Sequence, residues 1–246
     1  MLLYNNYRVF KEETMQSIDK VKATGLARFT SLVYLYTGLG IAFWMICAQA
    51  IAKNTALSMA LFQGMANHRI ISLILMIGIP MGFISLCSLF ATRSYFLTFL
   101  TYLGFLFTLS FIGVPIFYMY SAKSIIQTLT VTSAIFVVSA FIGFVTKKDL
   151  TKWSRTLIIG LISVIVVEAI NLFIFKSTAL MMLVSGVIII LFLFYIAFDS
   201  QNIKRIYQNN ATSESLGAIA LLASVNLVLD FINLFLSIIQ IFGNNN

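Results

Sequence analysis

Three acidic residues lie inside long apolar segments of this chain, and they are the side chains with the clearest capacity for chemistry: Glu168, Asp199 and Asp230. The other five of its eight acids lie in tails or polar stretches, where solvation accounts for them. An ionisable group within a membrane span costs roughly 2.5–3.5 kcal/mol on insertion scales, so such a group usually faces the protein interior and serves a function. We therefore expect proton or cation chemistry at these three positions.

A polar stripe accompanies one of the three acids. It consists of Asn226, Asp230, Asn233, Ser237 and Gln240, spaced by 4, 3, 4 and 3 residues in a segment that is otherwise Leu, Ile, Val and Phe. At 3.6 residues per turn these side chains share one helix face. We expect that face to point to the centre of a helical bundle or to a water-filled cavity.

The relative depth of two of the acids decides whether they can act together. Asp199 is at the end of one apolar run, and Asp230 is roughly 9 to 14 residues into the next run, which starts on the same side. Depending on where the helices begin, the two carboxylates are level or a couple of helical turns apart.

The elements that must position these residues are membrane helices. The 246 residues are 60% hydrophobic and only 10% charged, with a mean hydropathy of +0.98, which a soluble surface does not tolerate. Continuous apolar runs of about 20 residues predict helices rather than barrel strands. We predict an all-α fold, a bundle of seven transmembrane helices at approximately 29–52, 70–92, 97–120, 124–146, 156–175, 178–199 and 217–242.

The organisation outside the spans is simple. We predict a cytoplasmic N-terminal tail at 1–28, a transmembrane domain at 29–243, a longer first loop at 53–69 and a polar tether at 204–216. Twelve of the 16 Lys and Arg residues fall on one side of these spans and four on the other. By the positive-inside rule the N-terminus is cytoplasmic and the C-terminus is outside.

Composition and motifs exclude several function classes. The formal net charge of +8 is explained by orientation signals between the spans, so no nucleic-acid partner is expected. The last span has no lysine for a retinal Schiff base, and the single histidine, His68, lies in the first outer loop. With no phosphate-binding loop, dinucleotide turn or metal-ligand spacing, we expect neither an enzyme nor a bound cofactor.

Two Asp-containing segments resemble signatures of a known family. The segment 198–204 (Phe-Asp-Ser-Gln-Asn-Ile-Lys) resembles the aromatic-Asp-Thr-Gln-x-Ile-Lys signature of the transmembrane Bax inhibitor motif family. The segment 229–235 (Leu-Asp-Phe-Ile-Asn-Leu-Phe) resembles its closing signature, and 146–150 (Thr-Lys-Lys-Asp-Leu) resembles its mid-chain cytoplasmic loop. The resemblance extends from about residue 25 to residue 243 and is to a bacterial-type member.

The resemblance implies a pH-sensitive calcium leak across the membrane, which for a bacterial-type member is the inner membrane. Asp199 and Asp230 match the family's paired carboxylates, and Arg93 is the nearest match to an arginine that pairs with them. Glu168 replaces a residue that is usually apolar and would add a protonatable step. The implied partners are the lipid bilayer, protons and Ca²⁺, the transported ion.

Elementary electrostatics gives this pair a mechanism. Ionising two carboxyl groups at close range in a low-dielectric bundle costs much free energy. We therefore expect Asp199 and Asp230 to share a proton and titrate as one unit. Ionised, they offer hard oxygen ligands suited to Ca²⁺ and attract Arg93; protonated, they hydrogen-bond to each other. The ion path would also include Asn226 and Asn233.

Two alternatives remain open. A proton-coupled transporter of a small solute would use the same acids as a relay, although the Gly- or Pro-broken helix pairs typical of such folds are not apparent. A regulatory membrane protein would act by binding other membrane proteins, and its acids within the spans would be purely structural. For Glu168 we predict a side chain that faces the bundle and is uncharged or hydrogen-bonded.

Overall fold

The computed structural model describes the backbone of residues 2–244 and the side chains of residues 24–244. That part of the chain is helical, with no β-strand. The helices are α1 (Leu2–Lys53), α2 (Thr55–Asn67), α3 (Arg69–Phe90), α4 (Tyr95–Gly113), α5 (Ile116–Met119), α6 (Ala122–Val145), α7 (Ser154–Ile170), α8 (Thr178–Asn210) and α9 (Leu216–Phe242). A 3₁₀ turn at Leu150–Trp153 precedes α7, and a π-helical turn at Asn171–Phe175 follows it.

Seven segments of the described chain are long and apolar enough to cross a membrane, which confirms the predicted seven-helix membrane fold. They are Thr24–Lys53, Arg69–Phe90, Tyr95–Met119, Ala122–Val145, Leu150–Phe175, Thr178–Asn210 and Leu216–Phe242. The protein is therefore an integral membrane protein with an all-α fold. The predicted tail at 1–28 corresponds to the first half of α1, and its side chains before Thr24 lie outside the described residues.

The helix α9 is the centre of the bundle. It packs against α1, α3, α4, α6 and α8. In its most apolar 18-residue stretch 72% of the residues are buried, compared with 6% in the span that contains α7. Since α9 is surrounded by protein and α7 lies mostly on the outside of the bundle, polar side chains on α9 are the ones that the fold encloses.

Serine and asparagine caps begin several of these helices. The side chains of Asn54, Ser94, Ser121 and Ser177 each accept a hydrogen bond from the backbone N–H three residues later, at 3.1 to 3.4 Å. Near or within a membrane the first N–H groups of a helix have little water to bond, so each cap removes a cost of desolvation. These caps fix where α2, α4, α6 and α8 begin.

Two predicted loops are largely helical. The first loop, predicted at 53–69, contains the 13-residue helix α2, which Tyr118 anchors because its hydroxyl group contacts the hydroxyl of Ser58 at 2.7 Å and donates to the carbonyl of Ala52 at 2.7 Å. The predicted tether at 204–216 is wrong for its first half, since α8 continues to Asn210. The chain stays helical there because its side chains contact other helices: Lys204 donates to the carbonyl of Phe144 in α6, and the ring of Tyr207 packs on Phe29 of α1.

Candidate functional site

The polar stripe of α9 faces a cleft of about 750 Å³ between α3, α4, α5, α7, α8 and α9. All five stripe residues line it, which agrees with the predicted exposure of that face to a cavity: Asn226, Asp230, Asn233, Ser237 and Gln240. Because α9 spans the bundle, the stripe distributes polar groups along most of the cleft. A cation or proton in the cleft would meet a polar atom at nearly every turn of α9.

Asp199 and Asp230 meet on the wall of this cleft. Their carboxyl groups are within hydrogen-bonding reach of each other, and the Asp199 carboxyl also contacts the side chain of Asn226. Asp199 is 9% exposed and Asp230 is 3% exposed. The two acids are therefore level in the bundle, the closer of the two arrangements that the sequence left open.

No basic side chain in the described chain neutralises the pair. The groups that interact with Asp199 and Asp230 are each other, Asn226 and Tyr195, and no lysine or arginine is among them. The Oδ2 atom of Asp230 is buried and receives no hydrogen bond from a protein donor. Two touching carboxyl groups can hydrogen-bond only if one of them carries a proton, so this geometry suits a pair that holds one proton between its oxygens.

The position of Asp199 depends on the close approach of α6 to α8. Gly143 of α6 lies directly against the backbone of Ala197: a Cβ built on Gly143 would be 2.0 Å from the Ala197 carbonyl oxygen. Small residues let membrane helices approach in this way. The backbone of α8 is thus fixed two residues before Asp199.

Gln201, two residues after Asp199, fixes α8 to the loop that follows α6. Its side-chain oxygen accepts from the N–H of Leu150 at 2.8 Å, and its amide donates to the carbonyls of Thr146 at 3.1 Å and Lys148 at 2.8 Å. One turn further, the ammonium group of Lys204 donates to the carbonyl of Phe144. In the segment 198–204, the acid Asp199 is therefore followed by two anchors of α8, Gln201 and Lys204.

The loop after α6 also contains an acid that is exposed to solvent. Asp149 is exposed, and it accepts hydrogen bonds from the N–H and the hydroxyl group of Thr151 at 3.0 and 2.6 Å. These two hydrogen bonds, first of all the one from the hydroxyl, lower the pKa of Asp149. Asp149 caps the 3₁₀ turn at Leu150–Trp153 and takes no part in the cleft.

Arg93 is not brought to the acid pair. It is exposed in the turn between α3 and α4, where its backbone N–H donates to the carbonyl of Phe90 at 2.8 Å. Neither Asp199 nor Asp230 interacts with it. The pairing implied by the family resemblance stays a prediction, and it requires a different arrangement of the helices.

Glu168 lines the same cleft from α7, as predicted for a side chain that faces the bundle. It is exposed on the protein surface, and no hydrogen bond from a described protein donor reaches it. It does not interact with Asp199 or Asp230. The hydrogen-bonded state that we predicted as one possibility is therefore not provided by the protein, whereas its protonation stays a prediction.

Sequence reasoning missed two contributors to the site. Tyr195 lines the cleft and is electrostatically close to both Asp199 and Asp230. Its position four residues before Asp199 places it on the same helix face, which is the signal that could have found it. The second is Gln201, whose anchoring role a single sequence does not reveal because its three partners lie more than 50 residues away.

Comparison with known proteins defines the family. The model of the family described as inhibitor of apoptosis-promoting Bax1 matches residues 26–246. This chain belongs to the Bax inhibitor family. The acid pair, the loop anchored by Gln201 and the central helix α9 all lie within the matched residues.

Bacterial relatives support this assignment. The chain is 38% identical to a membrane protein of Streptococcus pyogenes serotype M3 over 141 residues, which are 57% of this chain and 58% of that protein. It is 36% identical to the inner membrane protein YbhL of Escherichia coli K12 over 131 residues, 52% and 56% of the two chains. It is 28% identical to a Rickettsia prowazekii protein over 235 residues, which are 95% of this chain and 97% of that protein. The chain thus spans a little over half the length of the Streptococcus and Escherichia relatives.

Proposed function

We propose that this Bax inhibitor family protein lets Ca²⁺ leak across the membrane, and that the Asp199–Asp230 pair controls the leak in response to pH. The observation that carries the proposal is the contact of two enclosed carboxyl groups, without a basic partner, on the wall of a cleft. The bacterial inner membrane is the proposed location, by analogy with YbhL.

The proton held by the pair is the proposed switch. With one shared proton the two carboxyl groups attract each other and hold α8 against α9. Loss of that proton leaves two negative charges in contact, which repel each other in a low-dielectric surrounding and favour separation of the helices. Ionised carboxylates then also offer oxygen ligands to a divalent cation. A rise in pH would therefore open the path and draw the cation into it.

The ligands at the acid pair suit a Ca²⁺ ion that passes through better than one that stays bound. Ca²⁺ usually takes six to eight oxygen ligands, whereas this position offers two carboxyl groups and the nearby amide of Asn226. No group of three or more His, Cys, Asp or Glu side chains in the described chain could hold a metal ion. A cation at the pair would keep much of its water, and it would leave along the stripe toward Asn233 and Gln240.

Calcium flux into proteoliposomes, measured between pH 6 and pH 8, tests the proposal. Asp199→Asn and Asp230→Asn keep the size of the side chain and remove its titration, so each should flatten the pH dependence of flux. The double variant should add little, because coupled sites lose their effect together. Asp149→Asn, the same substitution in the exposed loop, is the matched control and should keep the parental profile.

Glu168→Gln separates the pair from the third acid of the cleft. Because Glu168 does not interact with the pair, we expect about fivefold slower flux, as loss of about 1 kcal/mol of cation attraction would give, with an unchanged midpoint in pH. Additive effects of the two Asp substitutions, or parental profiles in both, would contradict the proposal. Proton flux that requires a small solute would favour a transporter, and absence of any flux a protein that acts by binding.

A further inference from the structure

A second, apolar groove lies on the other side of the bundle, between α1 and α6. Its volume is about 460 Å³, and its walls include Thr30, Gly38 and Ile41 of α1 with Ser133 and Phe144 of α6. Phe231 of α9 also lines it. None of the residues that line the cleft of the acid pair belongs to this groove.

The groove is as deep as one leaflet of a bilayer. From Thr30 to Ile41, and equally from Ser133 to Phe144, the walls run for eleven residue steps, about 16.5 Å at 1.5 Å per residue. Half of a ~30 Å hydrocarbon core is about 15 Å. One end reaches Phe144, the penultimate residue of α6, and the other end stops near the middle of both spans. The end at Phe144 is on the predicted cytoplasmic side.

Basic residues surround that end of the groove. Arg28 is exposed two residues before Thr30, and Lys147 is exposed three residues after Phe144. The ammonium group of Lys204 lies 4.3 Å from the centroid of the Phe144 ring. Among the residues whose side chains the structure describes, the acid nearest in sequence to this end is Asp149, which is already bonded to Thr151. The charge at the mouth of the groove therefore complements an anion, as expected for residues next to an anionic lipid surface.

The shape fits an acyl chain better than a second copy of the protein. A transmembrane helix with its side chains is about 10–12 Å wide and crosses both leaflets, whereas this groove ends halfway. Its width depends on Gly38, since a Cβ added there would meet no atom within 4 Å. Three hydroxyl-bearing side chains on α1, those of Thr30, Tyr34 and Thr37, lie along the wall without closing it.

We propose that the groove between α1 and α6 binds one acyl chain of an anionic phospholipid from the predicted cytoplasmic leaflet, whose phosphate is bound by Arg28 and Lys147. The acyl chain would follow Gly38 toward Ile41, and the headgroup would remain at the level of Phe144. This lipid site is independent of the calcium proposal, because it uses other helix faces and other side chains.

Native mass spectrometry of the full chain, released from nanodiscs that contain equal amounts of phosphatidylglycerol and phosphatidylcholine, tests the site. The parent should retain one phosphatidylglycerol molecule. Gly38→Leu fills the groove and should retain at least fivefold less. Gly78→Leu is the matched control, because Gly78 is also exposed in a membrane helix and a Cβ there also meets no atom within 4 Å. It should retain lipid as the parent does.

Two further variants keep the test decisive. Ser133→Leu fills the same groove from α6 and should reproduce the loss even if Gly38→Leu does not fold. Arg28→Gln should reduce the preference for phosphatidylglycerol over phosphatidylcholine while an acyl chain is still retained. Parental retention in both groove-filling variants, or equal retention of the two lipids by the parent, would overturn the proposal. A parental dimer that Gly38→Leu converts to a monomer would assign the groove to a second copy and would also overturn it.

Discussion

The Asp199–Asp230 pair and Glu168 line the same cleft in contrasting surroundings. The pair lies between α8 and α9, where the two carboxyl groups contact each other and Asp230 is 3% exposed. Glu168 lies on α7, in a span of which only 6% of the most apolar stretch is buried, and its carboxyl group has no hydrogen-bonding partner among the described residues. The packing around an acid, more than its presence in a span, therefore determines what it can do.

The contrast has a simple physical basis. An enclosed pair has only its own proton to compensate the second charge, so a change of protonation changes the force between two helices. A single acid at an open wall can exchange its proton with water or lipid headgroups without moving anything. The pair is therefore suited to controlling how two helices pack, whereas Glu168 is suited to a local effect on cations in the cleft.

The largest loss of stability should come from substituting the glycine that supports the acid pair, Gly143. Gly143→Ala places a methyl group on the backbone of Ala197, which cannot move aside, so we expect the free energy of unfolding to fall by about 3 kcal/mol. Gly160→Ala, on α7, places a methyl group 3.0 Å from the end of the Leu191 side chain, which can rotate, and should cost less than about 1 kcal/mol. Unfolding of both variants in the same detergent measures the difference.

Equal stability of the Gly143 and Gly160 variants would remove the distinction between the two regions. Gly143→Ser offers a second check, because its Cβ meets the same backbone atoms. It should be at least as destabilising as alanine.

An intermediate effect is expected for the polar anchors next to each acid. Gln201→Ala removes three hydrogen bonds between α8 and the loop after α6, at a cost of about 2 kcal/mol. Hydrogen exchange of residues 146–153 should become at least tenfold faster. Asn171→Ala, three residues after Glu168, removes two hydrogen bonds to Ser177 only six residues away, so faster exchange should stay within that turn.

Exchange that accelerates across the bundle in the Asn171 variant would show that the α7 region is coupled as tightly as the α8 region. Gln208→Ala is the control for Gln201→Ala, since Gln208 is exposed on the same helix. Its exchange pattern should match that of the parent.

The smallest effect should come from Asp149, an acid with neither enclosure nor a second carboxyl group. Hydrogen bonds from Thr151 lower its pKa in the folded chain, so its cap is fully present above about pH 4, the usual range of Asp, and is lost as pH falls through the lowered value. Protection of the Thr151 amide from exchange should decrease over that acid range. Asp149→Asn retains an acceptor oxygen without titration and should show no such decrease in protection.

Much of the architecture was predictable from the sequence, because spans are set by length and apolarity. The stripe from Asn226 to Gln240 was also readable, since a helix maps spacing directly onto a face. The level of Asp199 relative to Asp230 was not, because it depends on where α8 and α9 begin and on how they slide against each other. The contact between the two carboxyl groups places them at the same level, whereas the sequence also allowed a separation of a couple of helical turns.

Other features escaped prediction for a different reason. The extension of α8 to Asn210 contradicts its polar composition, and it is stabilised by Gln201 and Lys204 binding to residues more than 50 positions earlier. The helix α2 was hidden in a loop because its anchor, Tyr118, belongs to a distant span. Tertiary contacts of this kind override local composition, and a single sequence does not reveal them.

The central place of α9 also has a consequence for biosynthesis. Every helix that packs against α9 precedes it in the chain, so the ribosome delivers α1, α3, α4, α6 and α8 to the membrane before the element that joins them. Until then Asp199 lacks the helix that encloses its carboxyl group in the folded chain. Insertion of α9 encloses Asp199 and supplies the second carboxyl group in the same step, so the acid pair forms when α9 joins the earlier helices.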